Sequence, residues 1–354
     1  MTSSEPSKDS LIPVSVLTGF LGSGKTTMLS QWISQPEFAN TLVVINEFGQ
    51  IGLDHRLVTQ SEDSATVVMD SGCICCTIRT DLVQTLDQAR WRFARQGSRQ
   101  FDRVVIETTG LADPAPIVQT LATEDRLTRH YRLQSVITAV DGVLGEQTLA
   151  DHYEAQKQVA IADQLVLTKA DLFDSTSTEH IALQTRLRQL NPIAPVCVVA
   201  HGRVPVSILG AAHEEVTHMT RVAQLTDHGH SHDGGHSHEI NALCLLGSQP
   251  LDHAAVEQWQ RELMAVLGAD LFRFKAIVAI DGAHGMEWLT FQSVQHKAMP
   301  CVPIPAPKDR LHDKSTRSYF VLIGRDLSFD RLKLIGTNAL KLELAGLDDN
   351  GALA

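Results

Sequence analysis

The stretch GFLGSGKT, Gly19–Thr26, follows the apolar run PVSVLT and opens into TMLSQWISQ, which carries apolar residues at helical spacing. Its pattern is G-x-x-x-x-G-K-[ST], and a strand before it with a helix after it is the context that this loop needs. The chemistry explains each residue type. Gly19, Gly22 and Gly24 let backbone N–H groups turn inward around phosphates, with Ser23 and Thr27 flanking them. Lys25 supplies a cation for the β and γ phosphates, and the Thr26 hydroxyl can ligate Mg²⁺.

Working outward, short β-branched runs recur from about residue 12 to 202: TLVVINE, ATVVMD, DRVVIETT, LQSVITAVD, DQLVLTKAD and APVCVVA. Continuous apolar runs suit strands buried on both faces. Between them stand stretches with helical periodicity, among them TIRTDLVQTLDQARWRFARQ, PAPIVQTLATED, EAQKQVAIA and TEHIALQTRLRQLN. Alternation of this kind predicts an α/β fold, a mostly parallel sheet with helices on both faces, and residues 1–210 are assigned to it.

Residues 211–240 break the rhythm and end in HGHSHDGGHSHE, which has almost no apolar surface to bury. They read as a flexible linker. Beyond them the order is EINALCLLG as a strand, DHAAVEQWQRELMAVLG as a helix, DLFRFKAIVAIDG, MEWLTFQSVQH and SYFVLIG as strands, and LSFDRLKLIGTNAL as a helix. This predicts a smaller α+β domain over 241–354 with a mostly antiparallel sheet of ferredoxin-like type.

Composition narrows the setting. With 43% hydrophobic and 20% charged residues, the 354-residue chain has the profile of a soluble globular protein of two domains. Its 41 acidic against 30 basic residues, a net charge of −11, supply no basic stripe for nucleic acid or an anionic membrane. The N-terminus lacks a basic leader before its apolar run, so no signal peptide is expected, and no stretch approaches the ~20 apolar residues of a membrane span. The expected compartment is the reducing cytoplasm, where thiols stay free or bind metal.

Two further segments point to nucleotide chemistry. RVVIETTG places Glu107 at the end of an apolar strand, where a carboxylate faces Mg²⁺ directly or through water, and a lone buried charge there would be costly. LVLTKAD carries Thr168, Lys169 and Asp171 in a pattern like the N-K-x-D base-recognition motif. Asp171 can accept from guanine N1–H and its exocyclic amine, a donor pair that adenine lacks. Lys169 would lay its stem along the purine face. Thr168 replaces the usual Asn, which weakens the expected loop tether or base contact.

The order GFLGSGKTT, NEFGQIGLD, GCICC, IETTGLADPAP, AIADQLVLTKADL and a trailing FQSVQH resembles the CobW-type GTPases, relatives of the nickel chaperones HypB and UreG. The resemblance runs through nearly the whole chain, and the histidine-rich insert looks like the zinc-handling branch. It implies GTP and GDP as ligands, hydrolysis with Mg²⁺, and delivery of a metal, zinc first and cobalt second, to a client metalloprotein.

GCICC places Cys73, Cys75 and Cys76 on a turn before the helix that starts near Thr77. The positive end of a helix lowers thiol pKa, and thiolates with one position left open suit zinc. A redox dithiol and packing cysteines are the alternatives; no thioredoxin-like pattern surrounds the tract, and polar Ser71, Gly72 and Thr77 argue against a dry core. Cys197, Cys244 and Cys301 stand singly and read as core or surface residues. Glu47 and Asp54 in NEFGQIGLD could touch Mg²⁺, the attacking water or the cysteine-bound metal, or be solvated loop charges. Lys25, Glu107 and Glu47 are the catalytic candidates. His228, His230, His232, His236 and His238 offer weak accessory metal capture on a flexible tether, and His296 reads as support for the C-terminal fold. The competing functions are a zinc buffer with a mainly structural nucleotide and a small-molecule kinase.

Overall fold

A computed structural model of the chain describes residues 11–48, 66–71, 77–95, 98–213, 240–282, 285–306, 318–335 and 340–344. The chain divides into two compact units, Met1–Gln184 with Val196–Ala212, and Thr185–Pro195 with His213–Ala354.

The first unit is built on strands β1 (Ile12–Thr18), β2 (Thr41–Phe48), β3 (Thr66–Ser71), a short hairpin β4 (Ala94–Arg95) and β5 (Ser98–Arg99), then β6 (Arg103–Thr108), β7 (Tyr131–Asp141), β8 (Gln164–Thr168) and β9 (Val196–Val198). Seven of them form one sheet in the order β3-β2-β6-β1-β7-β8-β9, and every pairing is parallel. The predicted parallel sheet is present. Its helices are α1 (Lys25–Ile33), α2 (Thr77–Arg92), α3 (Ala115–Thr123), α4 (Asp125–Thr128), α5 (Gly145–Asp151), α6 (Tyr153–Ile161) and the first part of α7 (Thr178–Leu190), whose residues from Thr185 on fall in the second unit. The helix expected over PAPIVQTLATED is split, because Glu124 takes an extended conformation between α3 and α4. Helix α5 was not read from the sequence, since its seven residues hold only Leu149 as a large buried side chain and show no periodicity.

The order of strands places the site. After β1 the chain builds one side of the sheet, β2, β3 and β6, and then crosses to the other with β7, β8 and β9. The carboxyl end of β1 is therefore a topological switch point, where α/β sheets open a ligand crevice. Residues on one face of the sheet, including Leu17, Val43, Val105, Ile137 and Val166, pack with Met28, Leu29 and Trp32 of α1 and with Ile208 and Leu209 of the 3₁₀ segment Val206–His213. That segment extends three residues into the range expected as linker; residues 214–239 lie outside the described residues.

The second unit contains β10 (Ile240–Gly247), α8 (His253–Leu267), β11 (Leu271–Gly282), β12 (Gly285–Val294), β13 (Lys297–Ala298), β14 (Val302–Ile304), β15 (Ser318–Arg325), α9 (Phe329–Lys333) and β16 (Leu342–Leu344). The strand order β12-β11-β15-β10-β16, antiparallel throughout, is the ferredoxin-like arrangement with the β12–β14 segment added at one edge. Val256, Trp259, Leu263 and Leu267 of α8 cover Phe274, Ala276, Val278 and Ile280 of β11. Asp252 starts that helix by accepting the Ala255 N–H at 2.8 Å. Helix α9 is shorter than the sequence suggested, five residues capped by Ser328. His296, read as fold support, is exposed in the turn between β12 and β13. Cys244 is buried in β10, and burial pushes its thiol up to about 12; Cys197 and Cys301 are partly buried, and none of the three forms a disulfide.

Candidate functional site

Parallel register gathers residues far apart in sequence at one edge. Leu17 pairs with Glu107, Thr18 with Thr138, and Asp141 with Thr168, so β1, β6, β7 and β8 end side by side. A hydrogen bond of 2.8 Å from Thr108 Oγ1 to Thr18 Oγ1 clasps two of these ends.

The loop Gly19–Gly24 leaves this edge. Gly19 has φ +138°, and a Cβ there would lie 2.3 Å from the Ala139 carbonyl oxygen, so only glycine lets the loop pass this close to β7. Gly22 differs from the sequence expectation in its reason. At φ +74° it sits in the left-handed region, but a Cβ on it would meet nothing within 4 Å, so backbone conformation alone favours glycine there, with no close approach of protein atoms to relieve. Lys25 is buried, and its ammonium donates to the carbonyls of Gly19 at 2.8 Å and Phe20 at 3.1 Å, closing the loop on itself. Thr26 Oγ1 donates to Glu107 Oε1 at 3.0 Å. A hydroxyl and a carboxylate meeting at the mouth of the loop make a pair of hard oxygen ligands of the kind that Mg²⁺ takes.

The base-recognition candidates lie at the end of β8. Thr168 is buried, and its hydroxyl lies 2.8 Å from the Ser23 carbonyl and 3.1 Å from that of Val140. The tether expected to weaken without Asn is therefore present, made from β8 to the phosphate loop itself. Lys169 adopts φ +60°, and its ammonium forms a 2.6 Å ion pair with Asp141. The other Asp141 oxygen accepts the N–H groups of Val143 and Leu144. Asp171 accepts the backbone N–H of His201 at 3.1 Å, and its second oxygen is 3.3 Å from His201 Nδ1. That backbone hydrogen bond, foremost, holds the Asp171 carboxyl below the usual carboxylate range.

Asp141 and His201 were not singled out from sequence. The signal for the first was present in ITAVDG, an acid closing an apolar strand as Glu107 does; AHG at 200–202 marks only a turn. Among the metal candidates, Cys73, Cys75, Cys76, Asp54, His228, His230, His232, His236 and His238 lie outside the described residues, and Glu47 is described only as backbone of β2. The sheet still places their flanks: Glu47 pairs with Asp70 and Phe48 with Ser71, while Ile45 of the same strand pairs with Glu107.

The CobW/HypB/UreG nucleotide-binding domain profile matches residues 13–198, and the profile of the cobalamin synthesis protein CobW C-terminal domain matches residues 240–335. The chain belongs to the CobW/HypB/UreG family. Among its relatives, the zinc chaperone YjiA of Escherichia coli is 34% identical over 292 residues, 80% of this chain and 86% of that protein. Zinc-regulated GTPase metalloprotein activator 1 of Schizosaccharomyces pombe is 32% identical over 199 residues, 54% of this chain and 47% of that protein. The crystal structure of Zn(II)-bound YjiA GTPase from E. coli is similar with a TM-score of 0.65 and 29% identity, covering 93% of this chain and 98% of that one. The nucleotide-binding domain match takes in every motif from Gly19 to Asp171, and the separate CobW C-terminal domain match covers the antiparallel unit. Among the described residues of this CobW-family chain, no helix is long and apolar enough to cross a membrane.

Proposed function

We propose that this CobW-family chain is a GTPase metallochaperone that holds zinc at Cys73, Cys75 and Cys76 and passes it to a client metalloprotein under nucleotide control. The observation that carries the reading is the run of neighbouring strand ends β3-β2-β6: the cysteine segment follows Ser71, which ends β3, two strands from Glu107, which hydrogen-bonds Thr26. Strands lie ~4.8 Å apart, so the end of β3 stands about 10 Å from β6, the strand that carries Glu107.

In the hydrolysis step a water oxygen attacks the γ-phosphorus, the bond to the bridging oxygen of GDP breaks, and GDP and phosphate leave. Backbone N–H groups of Gly19–Gly24 and the Lys25 ammonium compensate charge on the phosphates. Thr26 and Glu107 fit a Mg²⁺ ion, which when bound neutralises charge on the β and γ oxygens. Asp171 selects guanine, and Lys169, held by Asp141, lines the base site. Glu47 reaches the same edge along β2. Zinc is cargo: in sequence its cysteine ligands precede the 16-residue α2, and a helix N-terminus lowers the pKa of thiols placed near it. The soft cysteine set suits zinc ahead of cobalt, and the relatives named for zinc support the same order.

Competition against a chromogenic chelator, with Mg²⁺ and either GDP or a nonhydrolysable GTP analogue, tests this function. Tighter zinc binding with the analogue is the expected result, and by reciprocity zinc then favours the GTP form by the same factor. Equal affinities in the two states overturn nucleotide control and leave a zinc buffer.

A further inference from the structure

The segment that follows Glu107, Thr109–Asp113, is gripped from two sides. On one side Gly110 lies against the phosphate loop so closely that a Cβ on it would stand 2.6 Å from the Leu21 backbone nitrogen. On the other stands α6. Gln158, 1% exposed, donates through Nε2 to the carbonyls of Gly110 at 3.1 Å and Ala112 at 3.0 Å. Its own backbone carbonyl accepts from Thr138 Oγ1 at 2.8 Å, which locks that turn of helix to β7. The preceding residue, Lys157, forms a 2.6 Å ion pair with Asp113, whose other oxygen accepts the Ala115 N–H at the start of α3.

The same helix also reaches the phosphate loop. His152, at its start, stacks on Phe20 with ring centroids 4.4 Å apart and planes 24° from parallel. Between these contacts lies a cavity of about 20 Å³ lined by Phe20, Ser23, Thr138 and Gln158. Ser23 Oγ and Gln158 Oε1 are both buried, with no hydrogen bond among the described residues.

We propose that Gln158, assisted by Lys157, is a positioning residue for GTP hydrolysis: it holds Gly110–Asp113 against the phosphate loop. The inference rests on the GTPase reading above. Gln158 touches neither phosphate nor metal ligand; it acts by fixing the backbone beside Glu107. Both amide hydrogens are directed at carbonyls of one loop, so moving that loop breaks two hydrogen bonds at once. Small misplacements near a reacting phosphate cost up to about 100-fold in rate, whereas nucleotide affinity rests on the Gly19–Gly24 loop and on Asp171, to which the Gln158 amide does not donate.

Steady-state GTP hydrolysis by the full chain, with separate measurement of GDP binding, tests the proposal. Gln158→Met keeps the volume and removes the donors; kcat is expected to fall about tenfold or more, with KM for GTP and affinity for GDP within about twofold of the parent. Lys157→Met is expected to lower kcat in the same sense, and Lys157→Arg, which keeps the ion pair with Asp113, to restore it. Parental kcat in a folded Gln158→Met chain, or a rise in KM with kcat unchanged, overturns the proposal. If Gln158→Met does not fold, the Lys157 pair decides: parental kcat in Lys157→Met overturns it. A parent chain that binds GTP without turning it over overturns the GTPase reading and this inference together, whereas parental turnover in the variants removes the inference alone.

Discussion

Thr26 Oγ1 donates a 3.0 Å hydrogen bond to Glu107 Oε1, joining residues 81 positions apart. Glu107 lies at the end of β6 and Thr26 in the first turn of α1, and the parallel pairing of Leu17 with Glu107 brings the acid level with the end of β1, from which the loop to α1 departs. Phosphate loop and acid are brought together by sheet register.

Replacing Glu107 with Gln keeps the shape and the hydrogen-bond acceptor but removes the charge at this meeting point. Groups that hold or orient a metal ligand typically cost 10- to 100-fold when altered, and kcat for GTP is expected to fall by about that much. Phosphate release at increasing Mg²⁺ checks it: partial recovery at high Mg²⁺ supports a role in holding the ion, and undiminished turnover counts against any role for Glu107.

Asp171→Ala is expected to weaken GTP and GDP by roughly 10- to 100-fold, because two guanine donors lose their acceptor, while weak ATP binding stays the same. The His201 N–H holds the carboxyl below its usual range. A depressed pKa means the charged form persists above it and is lost only as pH falls through that lowered value. Guanine preference should therefore be level from pH 8 to about 5. Comparable ATP and GTP affinities in the parent, measured by calorimetry, would sink the base-recognition argument.

Burial keeps Cys244 a thiol up to about 12. At pH 8 an alkylating reagent should modify Cys73, Cys75 and Cys76 in the metal-free protein and spare Cys244 until denaturant is added. Since the folded pKa is raised, this residue contributes a loss of stability as pH climbs above the ~8.5 of an unfolded thiol. Peptide mapping of the labelled protein reads the pattern, and rapid native labelling of Cys244 contradicts its placement.

Deleting residues 228–238 should remove several weak metal equivalents and leave GTP turnover and the tightest zinc site intact. That weak binding should fade below about pH 6.5 as imidazoles protonate. Loss of the tightest site on deletion would move the principal ligands from the cysteines to the histidines.

Cys75→Ala should abolish any difference in zinc affinity between the GDP and GTP-analogue states while nucleotide binding persists, because the phosphate loop lies on a separate segment. A tenfold difference corresponds to ~1.4 kcal/mol of coupling. Retained coupling in this variant would place the gating ligands elsewhere.

Much of this molecule was legible in its sequence because the signals are local. A glycine-rich loop between strand and helix, apolar runs at strand length, and an acid closing such a run each express a constraint set within a few residues; they predicted the parallel sheet and marked the residues proposed for the phosphate site. The second unit was legible as alternation, although the short α9 and the split of α3 from α4 were not, since boundaries turn on single residues such as Glu124. What the tertiary structure alone decided are the partnerships. Thr168, an unpromising replacement for Asn in the sequence, reaches the Ser23 carbonyl because β8 ends beside the loop. Asp171 meets His201, and Gln158, one polar residue in an ordinary helix, meets Gly110 and Ala112. None of these pairs leaves a mark in sequence spacing, because strand order and register, which depend on the packing of the whole sheet, determine which loops become neighbours.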